Sequence, residues 1–177
     1  MSSRSHRNSK LTHAPEGVKE APERFAADCM LGRLARWLRL LGHDVAYFRT
    51  IRDEELVDFA RREGRRILTR DTRLVQRRAA RDAILIHSHA LEEQLEEMLP
   101  YLGGSLAFPA AGTRCTVCNK SMLVLDRALA KSRVPPYVFQ TQASFLECPE
   151  CRRVYWSATH VRGIRRRLRK VADPDEP

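Results

Sequence analysis

The chain has 177 residues, enough for one ordinary domain and a small appended module. Its 32 Lys and Arg outnumber 22 Asp and Glu, giving a formal net charge of +10 and favouring polyanionic partners, nucleic acid first among them. No apolar run approaches bilayer length and no hydrophobic signal segment opens the chain, so a soluble, cytoplasmic protein without membrane association is expected.

Residues 1–22 are rich in Ser, Arg, Lys, His and Pro without apolar periodicity, and read as a disordered basic tail. From Arg24 onward short apolar runs alternate with amphipathic stretches. Phe25 to Ala27 reads as a strand. Met30 to Leu41 reads as a helix with Leu34, Leu38 and Leu41 on one side and Gly42 as its stop. Val45 to Phe48 is the next strand. Glu54 to Arg62 is a helix with Leu56, Phe59 and Ala60 as its apolar face, closed by Gly64. Arg66 to Thr69 returns as a strand, followed by a helix over Thr72 to Ala79, a strand over Ala83 to Ile86 and a helix over Leu91 to Leu99. Four strands alternating with four helices predict a central parallel sheet with helices on both faces, an α/β sandwich over residues 23–102.

A Gly- and Ala-rich stretch, Tyr101 to Gly112, marks a boundary, and a second module occupies residues 113–160. Its signature is Cys115-Thr-Val-Cys118 and, after 29 residues, Cys148-Pro-Glu-Cys151. Two such knuckles present four thiolates at tetrahedral angles, the geometry of a closed structural Zn²⁺ site, so the module reads as a zinc ribbon. The alternatives are unligated core cysteines or disulfides, and nothing in the chain suggests secretion. A four-cysteine shell leaves no open position, so the zinc holds the fold and catalyses nothing, and its loss is expected to unfold the ribbon and spare the α/β domain. Within the ribbon, Leu123 to Leu125 and Tyr137 to Phe139 are predicted strands, with Pro135-Pro136 forcing an extended segment ahead of the second. Residues 161–177 form a basic tail; Val161, Ile164, Leu168 and Val171 at helical spacing allow a short amphipathic helix beside Arg162, Arg165, Arg166, Arg167, Arg169 and Lys170.

In open parallel sheets, ligands bind beyond the carboxyl ends of the strands. Asp28 follows the first predicted strand, Asp53 opens the helix after the second, and Asp71 follows the third. Carboxylates converging there repel one another unless a cation is bound, and Mg²⁺ or Mn²⁺ is the natural occupant. Such an ion polarises a phosphoryl oxygen and activates water, which points to phosphodiester hydrolysis. Aspartate is equally a preferred helix cap, and capping is the competing reading of all three. Thr69 either orients Asp71 through its hydroxyl or is only a β-branched strand residue, the second being the default, and Cys29 reads as a small buried residue. Arg33 and Arg36 lie in the first turns of the first helix, close to Asp28, and are candidate phosphate contacts; a solvated basic face, including Arg39, is the default for such charges. His87 and His89 are a secondary candidate for metal or acid–base chemistry.

Ala27-Asp-Cys-Met-Leu-Gly-Arg-Leu-Ala-Arg-Trp-Leu-Arg-Leu-Leu-Gly-His-Asp44, Asp53-Glu-Glu-Leu-Val-Asp-Phe-Ala60 and Ile67-Leu-Thr-Arg-Asp-Thr-Arg-Leu74 resemble the Mut-seven C-terminal RNase family. Pro135-Pro-Tyr-Val138 and Cys148-Pro-Glu-Cys-Arg-Arg-Val-Tyr-Trp156 through Thr159-His160 resemble the ribbon of the same family. The resemblance implies a PIN-like nuclease fold, an α/β/α sandwich, joined to a C-terminal zinc ribbon. It implies Asp28, Asp53 and Asp71 as the catalytic metal-binding set, Arg33 and Arg36 as substrate-binding neighbours, and Cys115, Cys118, Cys148 and Cys151 as zinc ligands. The implied activity is metal-dependent endoribonucleolytic cleavage of RNA, with the ribbon aiding RNA binding. A non-catalytic RNA- or ribosome-binding zinc-ribbon protein is the alternative from a different class. The chain departs from the family pattern at Cys29, where an acid is frequent, and at Asn119 and Arg152, where glycine usually follows each knuckle. A fourth acid late in the domain has Asp82 as its nearest candidate, at the wrong end of its strand.

Overall fold

The computed structural model describes residues 23–104, Leu106 and residues 113–156. The two expected basic tails, 1–22 and 161–177, and His160 lie outside the described residues. The first unit runs β1 (Phe25–Ala27), α1 (Gly32–Leu40), β2 (Val45–Tyr47), α2 (Asp53–Glu63), β3 (Arg66–Thr69), α3 (Thr72–Val75), β4 (Ile84–Leu85) and α4 (Leu91–Met98). Three acids in the first turn of α2 suit its positive end, and Gly64, at φ 58°, supplies the left-handed residue that closes it. The helix expected to reach Ala79 stops after Val75, and Arg78–Ala80 forms a separate 3-10 turn. Leu74 and Ala80 are both buried beside α2. At about 100° per residue, positions six apart fall on different faces of one helix, so the break lets both enter the core.

All four strands are parallel, in the order β2-β1-β3-β4. Alternation across β1 sends Phe25 and Ala27 into a core with α1 and α4, and Ala26 into a second core with α2, α3 and Ile67. Helices therefore cover both faces, which is why β1 is apolar at every position and fully buried. The chain leaves β1 toward β2 on one side and leaves β3 toward β4 on the other. The direction of winding thus reverses between β1 and β3, and their carboxyl ends flank the crevice where such sheets bind ligands.

The second unit is an antiparallel sheet, ordered β5 (Leu123–Leu125), β6 (Phe145–Glu147) and β7 (Val154–Tyr155), with α5 (Arg127–Ala130) and α6 (Pro136–Thr141) between its first two strands. Tyr137 to Phe139, expected as a strand, is helical. Pro135 is the extended residue, and Pro136 takes the first helical turn, where its missing N–H is not needed and its fixed φ suits the helix. The helix buries Val138 and stacks Phe139 on Phe145 at a ring separation of 6.3 Å.

A hydrogen-bonded junction joins the two units. Arg39, expected on a solvated face, is 5% exposed. Its Nε and Nη2 donate to the Val45 carbonyl at 2.9 and 2.7 Å, and its Nη1 donates to the carbonyls of Thr116 and Val117 at 2.8 and 3.2 Å, inside the first cysteine knuckle. The Arg114 N–H returns a bond to the Arg39 carbonyl at 2.8 Å. Asn119 adopts φ 62°, a conformation that asparagine tolerates better than most residues. Its amide donates to Asp44 Oδ1 at 2.7 Å and accepts from the Val45 N–H at 3.2 Å. The position that usually carries glycine here supplies two of the bonds across the junction.

Asp44 also pairs with Arg65 at 2.6 Å and Arg114 at 3.7 Å. Burial opposes its ionisation, but hydrogen bonds from Arg65 and Asn119 and the two guanidinium charges outweigh it and hold the carboxyl below its ordinary value. The unfolded carboxyl binds its proton more tightly, so this stabilisation is complete above about pH 5 and disappears as pH falls below about 4. Asp44→Ala is expected to lose about 2 kcal/mol at neutral pH, less than a fully buried pair because water still reaches the carboxyl. Urea melts should show the difference from wild type shrinking between about pH 5 and pH 3.

Candidate functional site

Asp28 leaves the end of β1 and is 8% exposed. Its main-chain N–H donates to the Leu68 carbonyl of β3 at 3.0 Å. Oδ1 accepts from the Met30 N–H at 2.8 Å, capping the 3-10 turn Cys29–Leu31; Oδ2 accepts from the Thr69 hydroxyl and, at 3.2 Å, from the Arg70 N–H. The same Thr69 hydroxyl accepts from the Asp71 N–H at 2.9 Å. Thr69 is fully buried, so its hydroxyl must find partners, and it finds them on both acids of the β1/β3 edge. A threonine at the inward end of a strand, one residue before an arginine and two before an aspartate, is the sequence signal for its bond to Asp71, and the default β-branched reading misses both that bond and the one to Asp28.

Asp71 is half-buried and caps α3, its Oδ1 accepting from the Arg73 N–H at 2.7 Å. Asp53 opens α2 beyond β2, and its Oδ2 is paired with Arg77 at 3.1 Å; Arg77 also holds Glu54 at 2.8 Å. The structure thus joins Asp28 and Asp71 through Thr69 and gives Asp53 an arginine partner. Among the described residues these three carboxylates do not form a cluster close enough to share one ion. Mg²⁺ needs only one or two carboxylates and retains several waters, so Asp28 and Asp71 meet its demand in number, while Asp53 is committed to Arg77.

Around this edge, Arg33 and Arg36 are exposed on α1. Cys29, expected inside, is exposed with Met30, because the capped 3-10 turn directs Leu31 into the core and its two predecessors outward. The Tyr47 hydroxyl donates to the Cys29 carbonyl at 3.3 Å and crowds Gly32, where a Cβ would lie 2.6 Å from the hydroxyl oxygen. Asp82 is exposed before β4, and its carbonyl accepts from Arg66. Glu97 of α4 reaches the loop after β4 and accepts from the N–H groups of His87 and Ser88 at 2.8 and 2.9 Å. Burial opposes its ionisation, yet those bonds keep its carboxyl below the ordinary value. A cleft of about 590 Å³ lies at the opposite, amino end of the strands, lined by Arg24, Arg61, Arg65 and Arg66 with Glu23, Glu63 and Asp82. Arg24 and Arg66 there are paired with Glu63 and Glu23, so this cleft is a weaker candidate than the switch-point edge.

The four knuckle cysteines bring their sulfurs within 4.8 Å of one another, Cys115 and Cys148 buried, Cys118 and Cys151 half-buried. Cys115 Sγ accepts from the N–H groups of Val117 and Cys118, both at 3.4 Å, and lies 3.1 Å from the Tyr155 hydroxyl. Burial opposes ionisation of Cys115, but the Cys118 N–H, the Tyr155 hydroxyl and the Val117 N–H bring it down to about 6. Burial and the neighbouring Cys151 and Cys115 push Cys118 up to about 12. Four thiols this close cannot all ionise without a cation among them, and the donor set could hold a metal such as zinc. Because Thr116 and Val117 of the first knuckle accept from Arg39, loss of the metal is expected to lower the stability of the α/β unit as well as the ribbon.

About one zinc per chain is therefore expected by elemental analysis, lost in Cys148→Ser, with chelation lowering the melting temperature of the buried Phe25 core as well as the ribbon by hydrogen exchange. Thr69→Val, which keeps shape but removes the hydroxyl, should cost about 1–3 kcal/mol in urea unfolding, with Thr69→Ser recovering most of it.

A family model described as the Mut7-C RNAse domain matches residues 23–168, covering both the parallel sheet and the cysteine unit. Comparison with the curated proteins and with the solved structures finds no match. The match spans most of the chain and agrees with the resemblance carried by the Asp28, Asp71 and knuckle motifs: this protein belongs to the Mut7-C RNAse domain family.

Proposed function

We propose that the chain is a metal-dependent endoribonuclease with a PIN-like catalytic unit, hydrolysing RNA phosphodiester bonds in the cytoplasm, and that its zinc ribbon contributes to RNA binding. The observation that carries this reading is the Asp28, Thr69 and Asp71 linkage at the β1/β3 switch point of a chain in an RNAse family. Asp28 and Asp71 would hold Mg²⁺ or Mn²⁺, which when bound polarises the phosphoryl oxygen and lowers the pKa of an attacking water. Asp53 joins them on exchanging Arg77 for the cation. Thr69 fixes the rotamer of Asp28, so that its carboxylate is oriented before substrate arrives. Arg33 and Arg36, exposed on α1, supply phosphate contacts. Five unpaired cysteines suit a reducing compartment.

One observation favours the second reading, a non-catalytic RNA- or ribosome-binding protein: Asp28 and Asp71 each accept from a main-chain N–H two residues ahead, as helix caps do. Asp71→Asn separates the two. An asparagine still caps α3, so the fold survives in either case, whereas a metal ligand is lost only if there is one. Asp71→Asn and Asp28→Asn are expected to reduce Mn²⁺-dependent cleavage of labelled RNA by a factor of about 100 or more while retaining RNA binding. Cleavage by folded Asp71→Asn at the wild-type rate would remove the nuclease site as drawn.

A further inference from the structure

Arg70 holds Asp28 with its main chain and extends its side chain elsewhere. From the end of β3 the guanidinium crosses the carboxyl end of β4 to His89, placing Nη2 at 2.9 and 2.7 Å from the two ring nitrogens. Its Nε is buried and has no hydrogen-bond partner. Near-equal distances to both nitrogens place Nη2 over the ring rather than on the in-plane lone pair of either nitrogen, so the imidazole is a poor acceptor for this cation. Among the described residues no carboxylate pairs with Arg70. The acids around it are committed: Asp28 to three donors, Asp71 to the Arg73 N–H, and Glu97 to the loop that carries His87 and Ser88. Elsewhere among the described residues the half-buried arginines are matched to acids, Arg65 and Arg114 to Asp44 and Arg66 to Glu23.

We infer that Arg70 and His89 form a phosphate-oxygen subsite that grips one phosphodiester of an RNA strand beside Asp28. The two terminal guanidinium nitrogens can donate to two phosphate oxygens, and His89, exposed at the end of the loop after β4, adds a ring N–H beside them. The position is the crevice edge, next to the acids that would repel an approaching strand, so a cationic grip there sets where the backbone lies relative to Asp28 and Asp71. The identity of the strand rests on the nuclease reading; the anion site itself rests on a guanidinium that, among the described residues, has no carboxylate partner and lies against His89.

The test is binding of a fluorescent single-stranded oligoribonucleotide in buffer without added Mg²⁺ or Mn²⁺, which withholds the cation that cleavage needs and leaves the zinc in place, as a function of salt. Arg70→Ala should weaken binding about tenfold and flatten the slope of log affinity against log salt by about 0.7, the value for one phosphate contact on a single strand. His89→Ala should weaken binding about threefold, and the double variant should be little weaker than Arg70→Ala, because both side chains serve one phosphate. Arg70→Lys, which keeps the charge without the fork, should recover the salt slope but only part of the affinity. Arg81→Ala, on an exposed site away from this edge, should change affinity less than twofold. Circular dichroism and melting temperature identify any variant that fails to fold, in which case Arg70→Lys carries the comparison. Wild-type affinity and slope in folded Arg70→Ala, or fully additive effects of Arg70 and His89, would overturn the subsite. Cleavage by wild type with no binding defect in Arg70→Ala removes the subsite and leaves the nuclease; a binding defect without Mn²⁺-dependent cleavage by wild type does the reverse.

Discussion

A buried guanidinium cannot shed its charge, so every element that touches Arg39 is obliged to satisfy it. Three carbonyls do so, one from β2 and two from the first cysteine knuckle. Burial lowers the pKa of this arginine from its ordinary value, opposed chiefly by the nearby Cys115. Removing the knuckle would leave a cation facing unpaired space in the wall of the α/β unit, so the ribbon is a structural continuation of the sheet. The exchange between Asn119, Asp44 and the Val45 N–H works in the same direction and ties the knuckle to the start of β2.

The same economy appears at the carboxyl edge of the sheet. Asp28 ends a strand, caps a 3-10 turn and accepts the Thr69 hydroxyl, and the last two roles hold its side chain in a single rotamer. Capping and metal ligation are therefore compatible in geometry: a carboxylate oriented by N–H and O–H donors keeps lone pairs for a cation while losing little freedom when it binds. Asp53 differs because its partner is a side chain, Arg77, in an exposed pair that contributes little to stability.

The strong positive charge is distributed in two populations. Some arginines are internal fasteners, as Arg39, Arg65 and Arg114 are at the junction. Others, such as Arg33, Arg36 and Arg73, stand exposed near the switch-point edge, where they bias the surface potential toward phosphate. Net charge alone cannot separate the two populations, since both count equally toward +10.

Periodicity and punctuation in the sequence by themselves determined the βα alternation, the apolar faces of α1 and α2, the stops at Gly42 and Gly64, and the strand-end position of Asp28 and Asp71, because these depend on neighbours within a few residues. The paired C-x-x-C spacing likewise determined the cysteine cluster, since a tetrahedral site constrains its ligands locally in pairs. The fate of Tyr137 to Phe139 was harder, because a Pro-Pro pair serves an extended segment and a helix start equally well until Val138 and Phe139 find Phe145 to pack on. Only the tertiary structure decided that Arg39 is internal while Arg33 and Arg36, on the same helix, are exposed. It alone decided that Thr69 bridges two acids, that Asp53 faces Arg77, and that Arg70 meets His89. Each of these depends on partners 19 to 78 residues away in sequence, brought together by strand order and by the docking of the knuckle, which no local pattern encodes.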